Sequence, residues 1–265
     1  MRRLIAITLG LMALVGIGFL ALNPQILQSA SDRAVRIVEF LNPEWGAQVR
    51  LGSSKPVSDL LAEKGFRLGS PAFIRIFKQE SELELWLLRG DRFELFETYP
   101  ICTWSGEIGP KLAEGDGQSP EGFYAVGLKQ LNPNSNYFRA FNLGFPNAYD
   151  RTFGRSGSFL MVHGDCVSIG CYAMTDRVIG DIYTVVEAAL QAGQSEVRVH
   201  AFPFRMTDKV LAEKDGHRWA SYWSNLKEGY DFFERTKQPP KAYVCNGRYA
   251  FTPSATDRCE PIAAW

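Results

Sequence analysis

The chain has 265 residues with 29 basic and 29 acidic side chains, 46% hydrophobic and 22% charged residues, and 13% aromatics. That balance is globular, with room for one substantial domain plus additions. A formal net charge of zero argues against a nucleic-acid binder, which would carry a basic surplus.

The first element in chain order is a segment for export. Met1-Arg2-Arg3 precedes an uncharged apolar run from Leu4 to Leu22, the charge and length pattern of a signal peptide or an uncleaved signal anchor. The arginines stay in the cytoplasm and the rest of the chain is sent across, which predicts a place in the periplasm or cell envelope and contact with the inner membrane through residues 1–22. Residues 23–68 read as a linker with short helices: an amphipathic stretch over 31–41 that Asn42-Pro43 ends, and a second helix from Ser58 to Lys64 stopped by Gly65.

The texture changes at Pro71. Ala72–Phe77, Leu83–Leu88 and Phe93–Tyr99 are short apolar and aromatic runs split by polar turns, which predicts an antiparallel meander. Cys102–Pro120 reads as an irregular loop, Gly122–Val126 as a strand, 132–158 as mostly loop, and Phe159–Val162 as a strand that delivers His163. Thr175–Gln191 carries Val178, Ile179, Ile182, Tyr183, Val185, Val186, Ala189 and Leu190 at helical spacing. Val197–Phe202 alternates as a strand. Helices follow over Thr207–Ala212 and His217–Phe233, and a loop-rich tail runs from Pro239. The core unit is therefore expected over 69–206, with a helical extension and tail over 207–265.

The chemistry concentrates in His163-Gly-Asp-Cys-Val-Ser-Ile-Gly-Cys171. Cys171 is expected at a loop-to-helix junction, where the helix dipole favours thiolate. Gly170 permits a sharp turn whose backbone N–H groups could hold an oxyanion. His163, eight positions earlier, is placed to act as base toward the thiol. Ser168 is a candidate to bind substrate or pin the loop. Zinc is the rival reading, with His163, Asp165, Cys166 and Cys171 as ligands, but the usual Cys-x-x-Cys spacing is missing. Five cysteines leave at least one unpaired within the chain. Cys245 and Cys259 bracket a short loop and are the first candidates for a disulfide. Cys166 is either a second thiol of the site, a redox partner of Cys171, or the disulfide partner of Cys102. Tyr124, Tyr137, Arg139 and Tyr149 are candidates to line a substrate cleft, each with a structural role as the alternative. His200 reads as structural.

This segment resembles the L,D-transpeptidase catalytic domain of the YkuD type, in which a His-Gly is followed by Ser-x-Gly-Cys; here these are His163-Gly164 and Ser168-Ile169-Gly170-Cys171. Ser119-Pro120-Glu121-Gly122-Phe123-Tyr124, the loop Gly109-Pro110-Lys111 and the exported N-terminus also fit, and the short His-to-Cys interval is closest to the YafK-like murein branch. The sequence departs from the wider family at Ile169, where a second His is common, and at Ala173, where Arg or Asn is common. The resemblance implies a mainly β fold with flanking helices: a β-sandwich catalytic domain with helical decoration at both ends. It implies no cofactor or metal, Cys171 as nucleophile, His163 as base, and the Gly164 carbonyl orienting the imidazole. It implies peptidoglycan stem peptides as partners, with the acyl group passed to an amine of another stem, to a lysine of a lipoprotein, or to water. A hydrolase that releases stem-linked lipoprotein and a noncatalytic peptidoglycan-binding module are the alternatives.

Overall fold

The computed structural model describes residues 55–254 and 258–265. The apolar N-terminal run, the helix expected over 31–41 and most of the linker lie outside the described residues. Among the described residues no helix is long and apolar enough to cross a membrane.

Helix α1 (Val57–Glu63) ends where the sequence predicts. Gly65 takes φ +72°, and the N–H groups of Gly65 and Phe66 close back on the carbonyls of Ala62 and Leu61, satisfying orphan acceptors of the last turn. Strands β1 (Ala72–Phe77), β2 (Glu82–Arg89) and β3 (Arg92–Pro100) form the expected antiparallel meander. β4 (Thr103–Trp104) is a two-residue strand inside the stretch read as loop. β5 (Gly122–Val126) follows as expected.

The span 132–158 is more ordered than its Asn- and Gly-rich composition suggests. It holds β6 (Leu131–Ser135), β7 (Phe138–Asn142) and α2 (Ala148–Thr152). β6 lies at the sheet edge, where Pro133 is tolerated because an edge strand has N–H groups with no ladder partner. α2 is short and is capped by Asn147, whose side chain accepts from the Asp150 N–H.

β8 (Met161–His163) starts two residues later than the strand expected from Phe159, because Phe159 adopts φ +54° and its ring is exposed. β9 (Tyr172–Ala173) comes directly after Cys171, and only then α3 (Asp176–Gln191) begins, capped by Thr175. Its buried residues are the eight named from the helical spacing. β10 (Val197–Phe202), α4 (Asp208–Glu213) and α5 (Ala220–Thr236) complete the larger elements. The tail is not merely loop: β11 (Tyr243–Cys245), β12 (Arg248–Ala250) and β13 (Cys259–Pro261) form a small sheet in the order β12-β11-β13.

One five-stranded sheet runs β3-β2-β1-β10-β5, with β1 and β10 parallel; the second runs β4-β9-β8-β7-β6, with β8 and β9 parallel. The fold is mainly β with flanking helices. Every residue of β1 is buried, because both faces of its sheet are covered. Ala72, Ile74 and Ile76 face a core shared with Phe141, Val162 and Tyr172 of the second sheet and with the apolar stripe of α3. On the other side, Phe77, Phe123 and Phe202 join Tyr222, Trp223 and Leu226 of α5 and Val244, Tyr249 and Ile262 of the tail. Side chains of α5 and of the tail thus share a core with β1, β5 and β10.

Candidate functional site

The register of β8 and β9 decides the geometry. Val162 stands opposite Tyr172 and His163 opposite Ala173 on neighbouring parallel strands. Opposed residues share a face, and so do residues two apart along a strand. Cys171 lies in a bend directly before β9, and its sulfur sits beside the backbone of Met161 and Phe159. The Met161 N–H donates to the Cys171 Sγ at 3.4 Å, and the thiol donates to the Phe159 carbonyl at 3.5 Å.

The imidazole of His163 is fixed by its neighbour. Nδ1 lies 2.6 Å from the Gly164 carbonyl oxygen, which can only accept, so Nδ1 carries the proton and Nε2 keeps its lone pair. Tyr137 covers the ring, with centroids 4.7 Å apart at 34°, leaving His163 only 3% exposed. Burial lowers the His163 pKa from its ordinary 6.5, opposed by the Gly164 hydrogen bond and by Asp165. Burial raises the Cys171 pKa above its ordinary 9.0, opposed by the Met161 N–H and by Lys111. Both shifts favour the neutral forms, a thiol and an uncharged imidazole. This corrects the expectation of a dipole-stabilised thiolate: β9 separates Cys171 from the helix, and the positive end of a helix acts only over its first turn.

The short interval from His163 to Cys171 is made possible by two consecutive left-handed residues, Asp165 (φ +69°) and Cys166 (φ +50°). Asp tolerates that conformation better than Cys does. Cys166 is tied to Cys102 by a disulfide, with Cα atoms 5.2 Å apart, and its N–H donates to the Met174 carbonyl at 3.3 Å. The Asp165 N–H donates to Asp176 Oδ1 at 2.9 Å, at the first turn of α3. Gly164 has no room for a side chain: a Cβ there would meet Asp176 Oδ1 at 2.5 Å and the Tyr137 carbonyl oxygen at 2.8 Å. Cys245 pairs with Cys259, and Cys171 is the free cysteine. With its sulfur in the disulfide, Cys166 leaves the zinc ligand set considered from the sequence. Among the described residues no group of three or more His, Cys, Asp and Glu is arranged to hold a metal.

The Cys171 backbone is held from the opposite side. Its carbonyl accepts from the hydroxyls of Ser168 at 2.8 Å and Ser119 at 2.9 Å. Ser168 Oγ also accepts the Gly170 N–H at 3.1 Å and contacts Ser105 Oγ at 2.5 Å; since its own proton goes to Cys171, Ser105 is the donor there. The Gly170 N–H, expected as an oxyanion donor, is spent on Ser168.

Tyr137 is at the site, and its carbonyl accepts the Gly164 N–H at 3.0 Å. Tyr124 and Tyr149 are buried among core side chains. The Tyr124 hydroxyl is buried, donating to the Glu121 carbonyl at 3.1 Å, and Tyr149 stacks on Tyr249 with centroids 4.2 Å apart. Aromatic residue type cannot tell a packing face from a lining face, and here both rings joined the core. The Arg139 guanidinium lies 5.0 Å from the Tyr183 ring of α3. Ser105 carried no signal in the sequence, and Ser119 stood within the motif Ser119-Pro120 without an assigned role. Phe159 (71% exposed) was given no role either, although its carbonyl is the thiol's acceptor.

No family model matches the chain. It is 49% identical over 200 residues to the Escherichia coli (strain K12) protein named "Putative L,D-transpeptidase YafK", covering 75% of this chain and 81% of that protein. The Escherichia coli O157:H7 protein of the same name matches with the same figures, 49% over 200 residues. Among solved structures, the helical cell shape determining protein Pgp2 from Campylobacter jejuni is 18% identical with a TM-score of 0.41, covering 71% of this chain and 80% of that one. Bd1075 from Bdellovibrio bacteriovorus is 14% identical with a TM-score of 0.38, covering 73% of this chain and 91% of that one.

Proposed function

This chain belongs to the L,D-transpeptidase family, and from that premise we propose that it is a peptidoglycan acyltransferase with Cys171 as nucleophile and His163 as general base. The observation that supports this reading is the parallel pairing of β8, which ends on His163, with β9, which Cys171 directly precedes, together with Nδ1 of His163 committed to Gly164 and Nε2 left as the basic atom.

In the proposed reaction, Sγ of Cys171 attacks the carbonyl joining a diamino acid at stem position three to D-Ala at position four. Because the thiol is neutral at rest, its proton moves to Nε2 of His163 as the carbon–sulfur bond forms, and from there to the departing D-Ala amine. The acyl group is left as a thioester on Cys171. An amine of a second stem then gives a cross-link, a lipoprotein lysine gives attachment, and water gives hydrolysis, including release of a group already attached. The setting we propose is the cell envelope outside the cytoplasm, a reading supported by the disulfides Cys102–Cys166 and Cys245–Cys259, since such bonds persist in oxidising compartments.

A carbapenem tests the site directly. Incubation with purified chain is expected to give a mass adduct on Cys171 that Cys171→Ala lacks. A correctly folded wild-type chain without the adduct would sink the reading. Incubation with lipoprotein-bearing sacculi, followed by mass analysis of the products, then separates joining from cutting.

A further inference from the structure

The stretch from Ser105 to Glu121 carries little regular structure, yet it delivers Ser119 to the backbone of Cys171. What holds it is a charge pair with no exposure to solvent. Lys78, the residue after β1, is 0% exposed, and its ammonium donates to the carbonyls of Glu107 at 2.8 Å, Gly109 at 3.0 Å and Ser119 at 2.9 Å. Those bonds use all three of its donor protons. Glu121, also 0% exposed, lies 3.2 Å from the ammonium and accepts from the Gly109 N–H at 2.5 Å and from Trp223 Nε1 at 3.0 Å. Burying two charges is costly unless every polar atom around them is paired, so this loop conformation is strongly specified.

Ser119 is the joint between that charge pair and the candidate nucleophile. Its carbonyl accepts from Lys78, its N–H donates to the Ser105 carbonyl at 3.0 Å, and its Oγ accepts the Ser105 N–H at 3.0 Å while donating to the Cys171 carbonyl at 2.9 Å. The next residue repeats the contact: the Pro120 carbonyl accepts from the Tyr172 hydroxyl at 2.6 Å. On the opposite side of Cys171, the thiol is held by Met161 and Phe159. The nucleophile is thus clamped between β8 and a strut that ends on Lys78.

We propose that Lys78 and Ser119 are positioning residues for the acyl transfer, Lys78 acting through Ser119 to set the Cys171 backbone so that Sγ meets the substrate carbonyl in attacking geometry. The inference rests on the acyltransferase reading above. Neither residue touches the reacting atoms. Misplacement of a nucleophile by about 1 Å costs on the order of 100-fold in rate, whereas substrate affinity depends on the cleft walls.

The test follows carbapenem acylation of Cys171 by mass spectrometry over a range of carbapenem concentrations, using the full chain. Ser119→Ala is expected to lower the maximal acylation rate by roughly 10- to 100-fold while half-saturation stays within about twofold. Ser119→Thr, which keeps the hydroxyl, is expected to recover most of the rate. Lys78→Met is expected to lower the same rate, and to add little when Ser119 is already Ala, because coupled residues are non-additive. If Lys78→Met does not fold, Glu121→Gln replaces it in the same cycle. A wild-type rate in Ser119→Ala, no recovery in Ser119→Thr, or losses that simply add would each overturn the proposal. Absence of any adduct on the wild-type chain instead counts against the acyltransferase reading. Alkylation by iodoacetamide, which needs no cell-wall chemistry, then decides the positioning: Ser119→Ala must change the Cys171 alkylation rate several-fold, and an unchanged rate overturns it.

Discussion

Burial pushes both members of the His163–Cys171 pair toward neutrality, the imidazole down and the thiol up. Under the proposed function, a neutral base therefore takes the thiol proton during attack. The acid limb of kcat/KM is expected to have its midpoint below 6.5, the ordinary imidazole value, and iodoacetamide alkylation of Cys171 to have its midpoint above 9.0. An alkylation midpoint well below the ordinary thiol value would mean a resting ion pair and would contradict this account. Cys171 and His163 were singled out as candidates at this scale because a thiol, an imidazole and glycines fall in one short segment after an apolar strand. Tyr137 was named among four candidates, and only the β6–β7 hairpin shows why it alone lies over the imidazole. Tyr124 and Tyr149 have the same chemistry but sit on buried faces.

Among elements, the legible ones have strong periodicity or punctuation. The eight apolar positions of α3 follow a helical period and all are buried, and Gly65 ends α1 because it can take the left-handed conformation. The hairpin of β6 and β7 was not legible, since Asn132-Pro133-Asn134 carries turn residues and the strand survives only as an edge. The loop from His163 to Cys171 depends on a partner 64 positions away, Cys102. Its two left-handed residues are retained by that disulfide and by the bonds to Met174 and Asp176. Cys102→Ser is expected to cost about 2–5 kcal/mol in urea denaturation. It is also expected to lower Cys171 acylation more than Cys245→Ser does, because Cys245–Cys259 joins strands of the small C-terminal sheet. Equal effects on acylation would show that the first disulfide acts on the fold alone.

At the scale of the whole described fold, packing encloses imidazoles whose charged forms are disfavoured. His200 on β10 is 1% exposed, with Phe73 and Phe123 each 4.7 Å away between ring centroids. Burial pushes its pKa well below 6.5, and Arg198 and Arg75 push the same way. His163 is lowered too. Below pH 6.5 the unfolded chain binds protons at these positions that the folded chain refuses, so stability is full above that value and falls as the pH drops toward the folded-state values. Urea midpoints measured from pH 7.5 to 5 are expected to fall, and His200→Phe is expected to flatten the slope. A slope unchanged by that substitution would remove His200 from the explanation. Packing on the far face of the sheet is equally close: a Cβ on Gly229 would come within 2.6 Å of the Phe123 and Phe251 rings, so Gly229→Ala is expected to lower stability by about 1–3 kcal/mol in the same assay.

The sequence by itself determined the mainly β class, the meander and the long helix, because these are written in local periodicity, and it singled out His163 and Cys171 as the candidate pair because they are close along the chain. Tertiary structure decided the rest. Whether Cys171 meets a helix or a strand depends on β9 pairing with both β8 and β4. Whether the turn amides are free depends on Ser168, and how the nucleophile is held depends on Ser119 and on Lys78, 93 positions before Cys171. Such contacts join residues far apart in the chain, and no local pattern encodes which of them meet.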